Sequence, residues 1–115
     1  MLNCIAIGNE NHYQKLLEDY CSRMSIVNLM FSFAKPQNAI YLFKSEKIDV
    51  VFLDFEEGLM YMPDFFLHMP KEVKIILFTT ELSNSFDWGQ MPVKEVIFRP
   101  YRFERLLEVI IPMMN

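Results

Sequence analysis

The stretch Lys47-Ile48-Asp49-Val50-Val51-Phe52-Leu53-Asp54 decides the fold, because in it an apolar run ends in a single carboxylate. An uninterrupted run of β-branched and large apolar residues is typical of a strand that is buried on both faces of a parallel sheet. Open α/β folds place their functional sites at the carboxyl ends of such strands. We therefore predict a central strand over residues 49–53, with Asp54 at the edge of the sheet where a site would lie.

The composition indicates one well-packed domain over residues 1–115. The chain is 52% hydrophobic, and its 115 residues are enough for a single core. Its 15 acidic and 11 basic residues give a net charge of −4 without a basic cluster, which argues against direct binding of nucleic acid. No signal peptide opens the chain, and no apolar run reaches the roughly 18 residues of a membrane span. We expect a cytoplasmic protein with no membrane partner.

The cysteines and histidines lack the spacing of a reactive or metal-binding site. Cys4 and Cys21 are neither a CxxC pair nor part of a disulfide-rich chain, so we expect two reduced, partly buried thiols. His12 and His68 are isolated from each other and are expected at the surface or at helix ends.

The pattern of apolar residues predicts five strands that alternate with five helices. The other strands are predicted over 2–7, 26–33, 73–78 and 93–98, and helices over about 12–24, 36–46, 63–69 and 102–111. The segment between Glu81 and Pro92 has poor helix propensity, so its helix would be short or frayed. Short connections between alternating elements predict a flavodoxin-like α/β fold. Its doubly wound, five-stranded parallel sheet would have the order 2-1-3-4-5 and helices on both faces.

Four landmarks in this order resemble the receiver domains of two-component response regulators, and the resemblance covers essentially the whole chain. The strand that ends in Asp54 resembles the one leading to the phosphoacceptor aspartate, and residues 75–80 resemble the strand ending in a hydroxyl residue, here Thr80. Residues 96–100 resemble a strand that ends in lysine and proline, with Arg99 at the lysine position. Residues 101–107 resemble the last helix of receivers attached to LytTR-type DNA-binding domains.

The resemblance implies Mg²⁺-assisted transfer of a phosphoryl group to Asp54, followed by hydrolysis. Thr80 and Arg99 would then contact the phosphoryl oxygens, and several carboxylates would surround the metal. However, Gly8 and Asn9 stand where the family has two adjacent acidic residues of the metal site. Glu10, one residue later in a turn, is only a weak candidate for a metal ligand.

The residues that would contact the phosphoryl group and transmit its presence also depart from the family pattern. Arg99 keeps a positive charge, but a planar guanidinium is not equivalent to the point charge of a lysine. Val96 occupies the position of the aromatic switch residue and cannot swing as a ring does. These departures predict a degenerate site, in which Asp54 is a partly exposed carboxylate that pairs with Arg99.

Two functions remain open at this stage. The first is a pseudo-receiver, a signalling module of a phosphorelay. We expect this module to need no cofactor, to have no enzymatic activity, and to bind a signalling partner such as a histidine kinase or an effector domain. It would bind this partner, or a second copy, through the face of the fourth helix, fifth strand and fifth helix. Mixed charges on the last helix would either pair across that interface or form a solvated face, namely Arg102, Glu104, Arg105 and Glu108.

The alternative is a conventional receiver that accepts a phosphoryl group on Asp54 with Mg²⁺. A flavodoxin-like cofactor binder is disfavoured, because the loop after the first strand contains one glycine and no phosphate-binding pattern.

Overall fold

Five parallel strands form a single sheet in a computed structural model that describes residues 1–8, 11–54, 62–80 and 93–114. The order in the sheet is β2-β1-β3-β4-β5, and each neighbouring pair runs parallel. The strands are β1 (Leu2–Ile7), β2 (Val27–Phe33), β3 (Val50–Asp54), β4 (Lys74–Thr79) and β5 (Val93–Phe98). The predicted sheet and its strand order are therefore confirmed.

The described part of the chain contains four α-helices, whereas the sequence predicted five. They are α1 (Asn11–Ser22), α2 (Leu42–Ser45), α3 (Met62–His68) and α4 (Phe103–Ile110), with 3-10 turns at Pro36–Asn38 and Ile111–Met114. The helix predicted between residues 81 and 92 falls outside the described residues. None of the described helices is long and apolar enough to cross a bilayer.

The prediction of one continuous helix over residues 36–46 is wrong. Pro36 does begin a helical turn, but Lys35 before it provides no side-chain cap. The N–H of Ala39 then donates to the Pro36 carbonyl, and the N–H of Leu42 donates to the Ala39 carbonyl. These three-residue spacings are those of a 3-10 helix, so the chain reaches α2 through tight turns.

An apolar layer covers each face of the sheet, because successive side chains of a strand point to opposite faces. Cys4 and Ala6 of β1 pack in the layer that includes α1 and α4, while Ile5 and Ile7 pack in the layer that includes α2 and α3. Residues 50–53 of β3 are at most 1% exposed. The central strand is thus buried on both faces, as predicted, and it holds Asp54 at its carboxyl end.

Candidate functional site

Asp54 forms a buried ion pair with Arg99 at the carboxyl ends of the strands. Arg99 Nη1 lies 3.1 Å from Asp54 Oδ2, and the two side chains are only 7% and 5% exposed. The backbone N–H of Arg99 donates to the Thr79 carbonyl at 2.7 Å, which ties the start of the Arg99 side chain to the end of β4. The predicted pairing is therefore present, but the expectation that Asp54 is partly exposed is wrong, since neighbouring residues cover the carboxylate.

Aromatic rings hold the guanidinium in place. The Cζ atom of Arg99 lies 4.1 Å from the centroid of the Tyr13 ring and 5.5 Å from that of Phe78. Both distances lie within the range of cation–π attraction. The sequence placed Tyr13 only in the apolar stripe of the first helix. Its position in the first turn of α1, next to the carboxyl end of β1, was the available signal for a role in the site.

A cavity of about 10 Å³ adjoins the ion pair, and Tyr13, Asp54, Arg99 and Tyr101 are among the residues that line it. Within the described part of the chain, the Arg99 Nε is buried without a hydrogen-bond partner. This volume is at the lower limit for holding one water molecule. A phosphoryl group is larger than a water molecule, so it would enter this space only if the surrounding side chains moved.

Gly8 allows Asp54 to occupy this position. A Cβ atom added to Gly8 would lie 2.8 Å from the Asp54 Cβ and 3.4 Å from its Oδ2. The first distance is shorter than real Cβ contacts, so a side chain at position 8 requires Asp54 to move. The close approach of the two backbones thus explains a glycine at the position where the resemblance implies an acidic residue.

The described residues do not fit a Mg²⁺ site. Mg²⁺ needs an octahedral set of oxygen ligands, whereas Gly8 supplies no side chain and the Arg99 guanidinium already contacts Asp54 Oδ2. No group of three His, Cys, Asp or Glu residues comes together among the described positions. Asn9 and the weak candidate Glu10 fall outside them.

The hydroxyl residue at the end of β4 is Thr79 rather than Thr80. Thr79 is the last residue of the strand and is fully buried, whereas Thr80 follows the strand and is half-buried. The Thr79 hydroxyl lies 3.5 Å from the Thr80 carbonyl oxygen, which is a long hydrogen bond. Asp54 pairs in register with Phe78, so Thr79 is the next residue along β4. The resemblance placed this landmark at Thr80, one residue beyond the observed end of β4.

The charged residues predicted as an interaction face lie on α4 and just before it. Arg102, Glu104 and Glu108 are exposed, and Arg105 is half-buried. Arg105 contacts Glu108 at 3.3 Å and Glu95 of β5 at 3.6 Å. The guanidinium also donates to the Val96 carbonyl at 3.4 Å. Arg105 is therefore held within its own chain, while Arg102 and Glu104 face solvent.

The other titratable residues of interest are the two cysteines, Tyr101 and the two histidines. Cys4 and Cys21 are free, buried thiols, and burial raises the pKa of both, that of Cys21 to about 12. Thiols with raised pKa values are poor nucleophiles at neutral pH. Burial likewise raises the pKa of the Tyr101 hydroxyl, which nearby Arg99 partly offsets. His12 at the start of α1 and His68 at the end of α3 are exposed, as predicted.

Solved structures with the same arrangement of strands and helices come from response regulators. The response regulatory domain of MrkE from Klebsiella pneumoniae matches with a TM-score of 0.80 and 16% identity, over 98% of this chain and 95% of that one. A chain from the complex of the CheA3 P1 domain with CheY6 of R. sphaeroides matches with a TM-score of 0.82 and 15% identity, over 98% and 96%.

A third match is to RcsB of Salmonella enterica serovar Typhimurium, bound to the promoter P1flhDC in the presence of the phosphomimetic BeF3⁻. It has a TM-score of 0.73 and 12% identity, and covers 98% of this chain but 60% of the RcsB chain. No protein-family model and no curated protein matches the sequence. The structural likeness shows that this chain has the fold of response-regulator receiver domains.

Proposed function

We propose that this chain is a pseudo-receiver, a signalling module that binds a protein partner and does not depend on phosphoryl transfer. The observation that carries the proposal is the buried ion pair between Asp54 and Arg99, with its nitrogen and oxygen 3.1 Å apart. The guanidinium neutralises the carboxylate that would have to attack a phosphodonor. It also contacts Oδ2, a carboxylate oxygen that a metal ion would otherwise be able to bind.

Breaking this pair would be costly. Both side chains are more than nine-tenths buried, and the guanidinium also contacts the ring of Tyr13. Removing one partner of a buried pair costs about 3–5 kcal/mol in proteins, and moving the guanidinium away would leave the Asp54 carboxylate without the same compensation. A phosphodonor would therefore meet a reactive Asp54 only rarely.

A conventional receiver remains the second candidate, because Asp54 ends the central strand of a sheet with the receiver topology. In that case Arg99 would release Asp54 Oδ2 when the phosphodonor binds, and the Asp54 carboxylate would accept the phosphoryl group with Mg²⁺. Thr79 or Thr80 would donate a hydrogen bond to it.

Treatment with acetyl phosphate and Mg²⁺ separates the two functions. We expect intact-protein mass spectrometry to detect no added phosphoryl group, and beryllofluoride to leave the NMR signals of Asp54 and Arg99 unchanged. An acyl phosphate that forms in the wild type and disappears in Asp54→Asn would refute the pseudo-receiver. Arg99→Lys restores the residue that the resemblance implies. We expect it to stay unmodified as well, since Gly8 still supplies no metal ligand.

The partner of the proposed module is a signalling protein, such as a histidine kinase or an effector domain. In support, the CheA3–CheY6 structure is of a complex between two signalling proteins. Pairing of two copies through the predicted face of the fourth helix, fifth strand and fifth helix stays a prediction. The structure describes β5 and α4 of this face, and Arg102 and Glu104 are exposed there. The likeness to LytTR-type receivers, the absence of cofactor and enzymatic activity, and a cytoplasmic location are also predictions. Analytical ultracentrifugation of wild type and Arg102→Glu tests the dimer.

A further inference from the structure

A cleft of about 460 Å³ lies at the amino ends of β4 and β5, opposite the end of the sheet that carries Asp54. Lys74, the first residue of β4, and Lys94 of β5 contribute to its wall. Val109 and Met113 line its floor with a small apolar surface, since each is only 6% exposed. Ligand-binding clefts are typically about 300–1,000 Å³, so this one has room for a short stretch of peptide.

The cleft has an excess of unpaired positive charge. Its acidic residues Glu95 and Glu108 both contact Arg105, at 3.6 and 3.3 Å. None of the ion pairs among the described residues involves Lys74 or Lys94, although Lys94 is exposed and Lys74 half-exposed. Because the two glutamates share a single arginine, the five charged residues of the cleft carry a net charge of +1, and an acidic partner would meet two lysines that take part in none of the described ion pairs.

A β-bulge brings Lys94 into the cleft. Val93 pairs with Ile75 and Glu95 pairs with Ile76, so Lys94 is an extra residue in β5. Adjacent residues of a regular strand point to opposite faces, yet Lys94 and Glu95 both line this cleft. Bulges are common at the edges of sheets, where they change the direction in which a side chain points. The backbone irregularity here places a lysine beside the apolar surface of Val109 and Met113.

We propose that this cleft binds an acidic segment of a protein partner, with carboxylates on Lys74 and Lys94 and an apolar side chain on Val109 and Met113. Two lysines in a chain of net charge −4 do not form the basic stripe that a nucleic acid needs. The apolar surface beside the lysines favours a peptide that carries both an acidic and an apolar side chain. This inference rests on the proposed function as a protein-binding module, and it names the chemistry of the partner.

The test uses a pool of fluorescein-labelled hexapeptides in which leucine is flanked by glutamate or aspartate, with binding followed by fluorescence polarisation. We expect Lys74→Ala/Lys94→Ala to weaken binding by about tenfold or more. The matched variant Lys35→Ala/Lys44→Ala removes the same charge from exposed lysines outside the cleft, and it should change the affinity by less than about twofold. Peptides with amides for carboxylates, or with alanine for leucine, should also bind about tenfold more weakly.

Several results would overturn this proposal. One is that no peptide binds at millimolar concentration, and another is that the two double variants lose affinity equally. A third is that glutarate displaces the labelled peptide as effectively as unlabelled peptide does, which would indicate a site for small anions. Self-association that Lys74→Ala/Lys94→Ala abolishes, seen by ultracentrifugation, would assign the cleft to a second copy instead. Repeating the titration with acetyl phosphate and Mg²⁺ on wild type and Asp54→Asn separates the two proposals. Binding that requires a phosphorylated Asp54 would refute phosphorylation independence while leaving the acidic docking site in place.

Discussion

Replacement of Arg99 by methionine tests whether the ion pair with Asp54 stabilises the carboxyl end of the sheet. The two charges are 3.1 Å apart and their side chains are 7% and 5% exposed, so Arg99→Met leaves a buried carboxylate without this guanidinium. Removing one partner of a buried pair costs about 3–5 kcal/mol. Loss of the contact with Tyr13, 4.1 Å from the ring centroid, contributes about 0.5–2 kcal/mol. We expect the free energy of unfolding to fall by about 4 kcal/mol or more.

Urea unfolding followed by far-UV circular dichroism measures this change for wild type, Arg99→Met, Asp54→Leu and the double variant. The double variant buries neither charge, and leucine matches the branching of aspartate, so we expect it to lie within about 1 kcal/mol of wild type. Arg23→Met is the matched control, because its pair with Asp19 is more than half exposed and its guanidinium also lies over the Tyr20 ring at 5.7 Å, so we expect a cost of no more than about 1.5 kcal/mol. The reasoning is refuted if Arg99→Met costs no more than this control, or if the two single losses simply add in the double variant.

Three further predictions concern Gly8, Tyr13 and the buried thiols. Gly8→Ala should lower the free energy of unfolding by about 1–3 kcal/mol, because its Cβ would lie 2.8 Å from that of Asp54; a thermal midpoint at or above that of wild type would contradict this. Tyr13→Leu should cost about 0.5–2 kcal/mol in wild type and much less in Arg99→Met, since the ring then has no cation to contact. Burial raises the pKa of both cysteine thiols above the ordinary value of 9.0, and it raises the pKa of Cys21 to about 12. Between these pH values the folded state therefore keeps thiol protons that the unfolded state releases. The stabilisation that comes from burying these neutral thiols is complete below about pH 9 and is lost as the pH rises towards 12. The urea midpoint should therefore fall over this pH range, and it should fall less steeply in Cys21→Ala. An equal slope in the two proteins would contradict the assignment.

The architecture was predictable because the strands carry unambiguous patterns. The run over residues 50–53 is apolar at every position, as burial on two faces requires, and it forms the central strand of the predicted sheet. The second helix was not predictable from its apolar stripe. Ala39 and Leu42 are buried, as the apolar stripe implied. However, the backbone around them forms turns with 3-10 hydrogen bonds and not one continuous α-helix.

The candidate site was predictable in part. Pairing of Asp54 with Arg99 followed from two strand ends that meet at one edge of the sheet, separated only by β4. The burial of the pair did not follow, because the ring of Tyr13 that packs on the guanidinium comes from α1, which is distant from Arg99 in the sequence. Nor did the role of Gly8, since a missing carboxylate in the sequence does not reveal that the neighbouring carboxylate fills its space.

The close approach of Gly8 to Asp54 also bears on how the site can change during evolution. A single substitution that puts a carboxylate at position 8 meets the Cβ of Asp54 at 2.8 Å, while a single change of Arg99 to lysine supplies no metal ligand. A carboxylate at position 8 would therefore require a shift of Asp54, so this change brings a steric cost. The glycine thus makes an acidic residue at this position depend on a second change that moves Asp54.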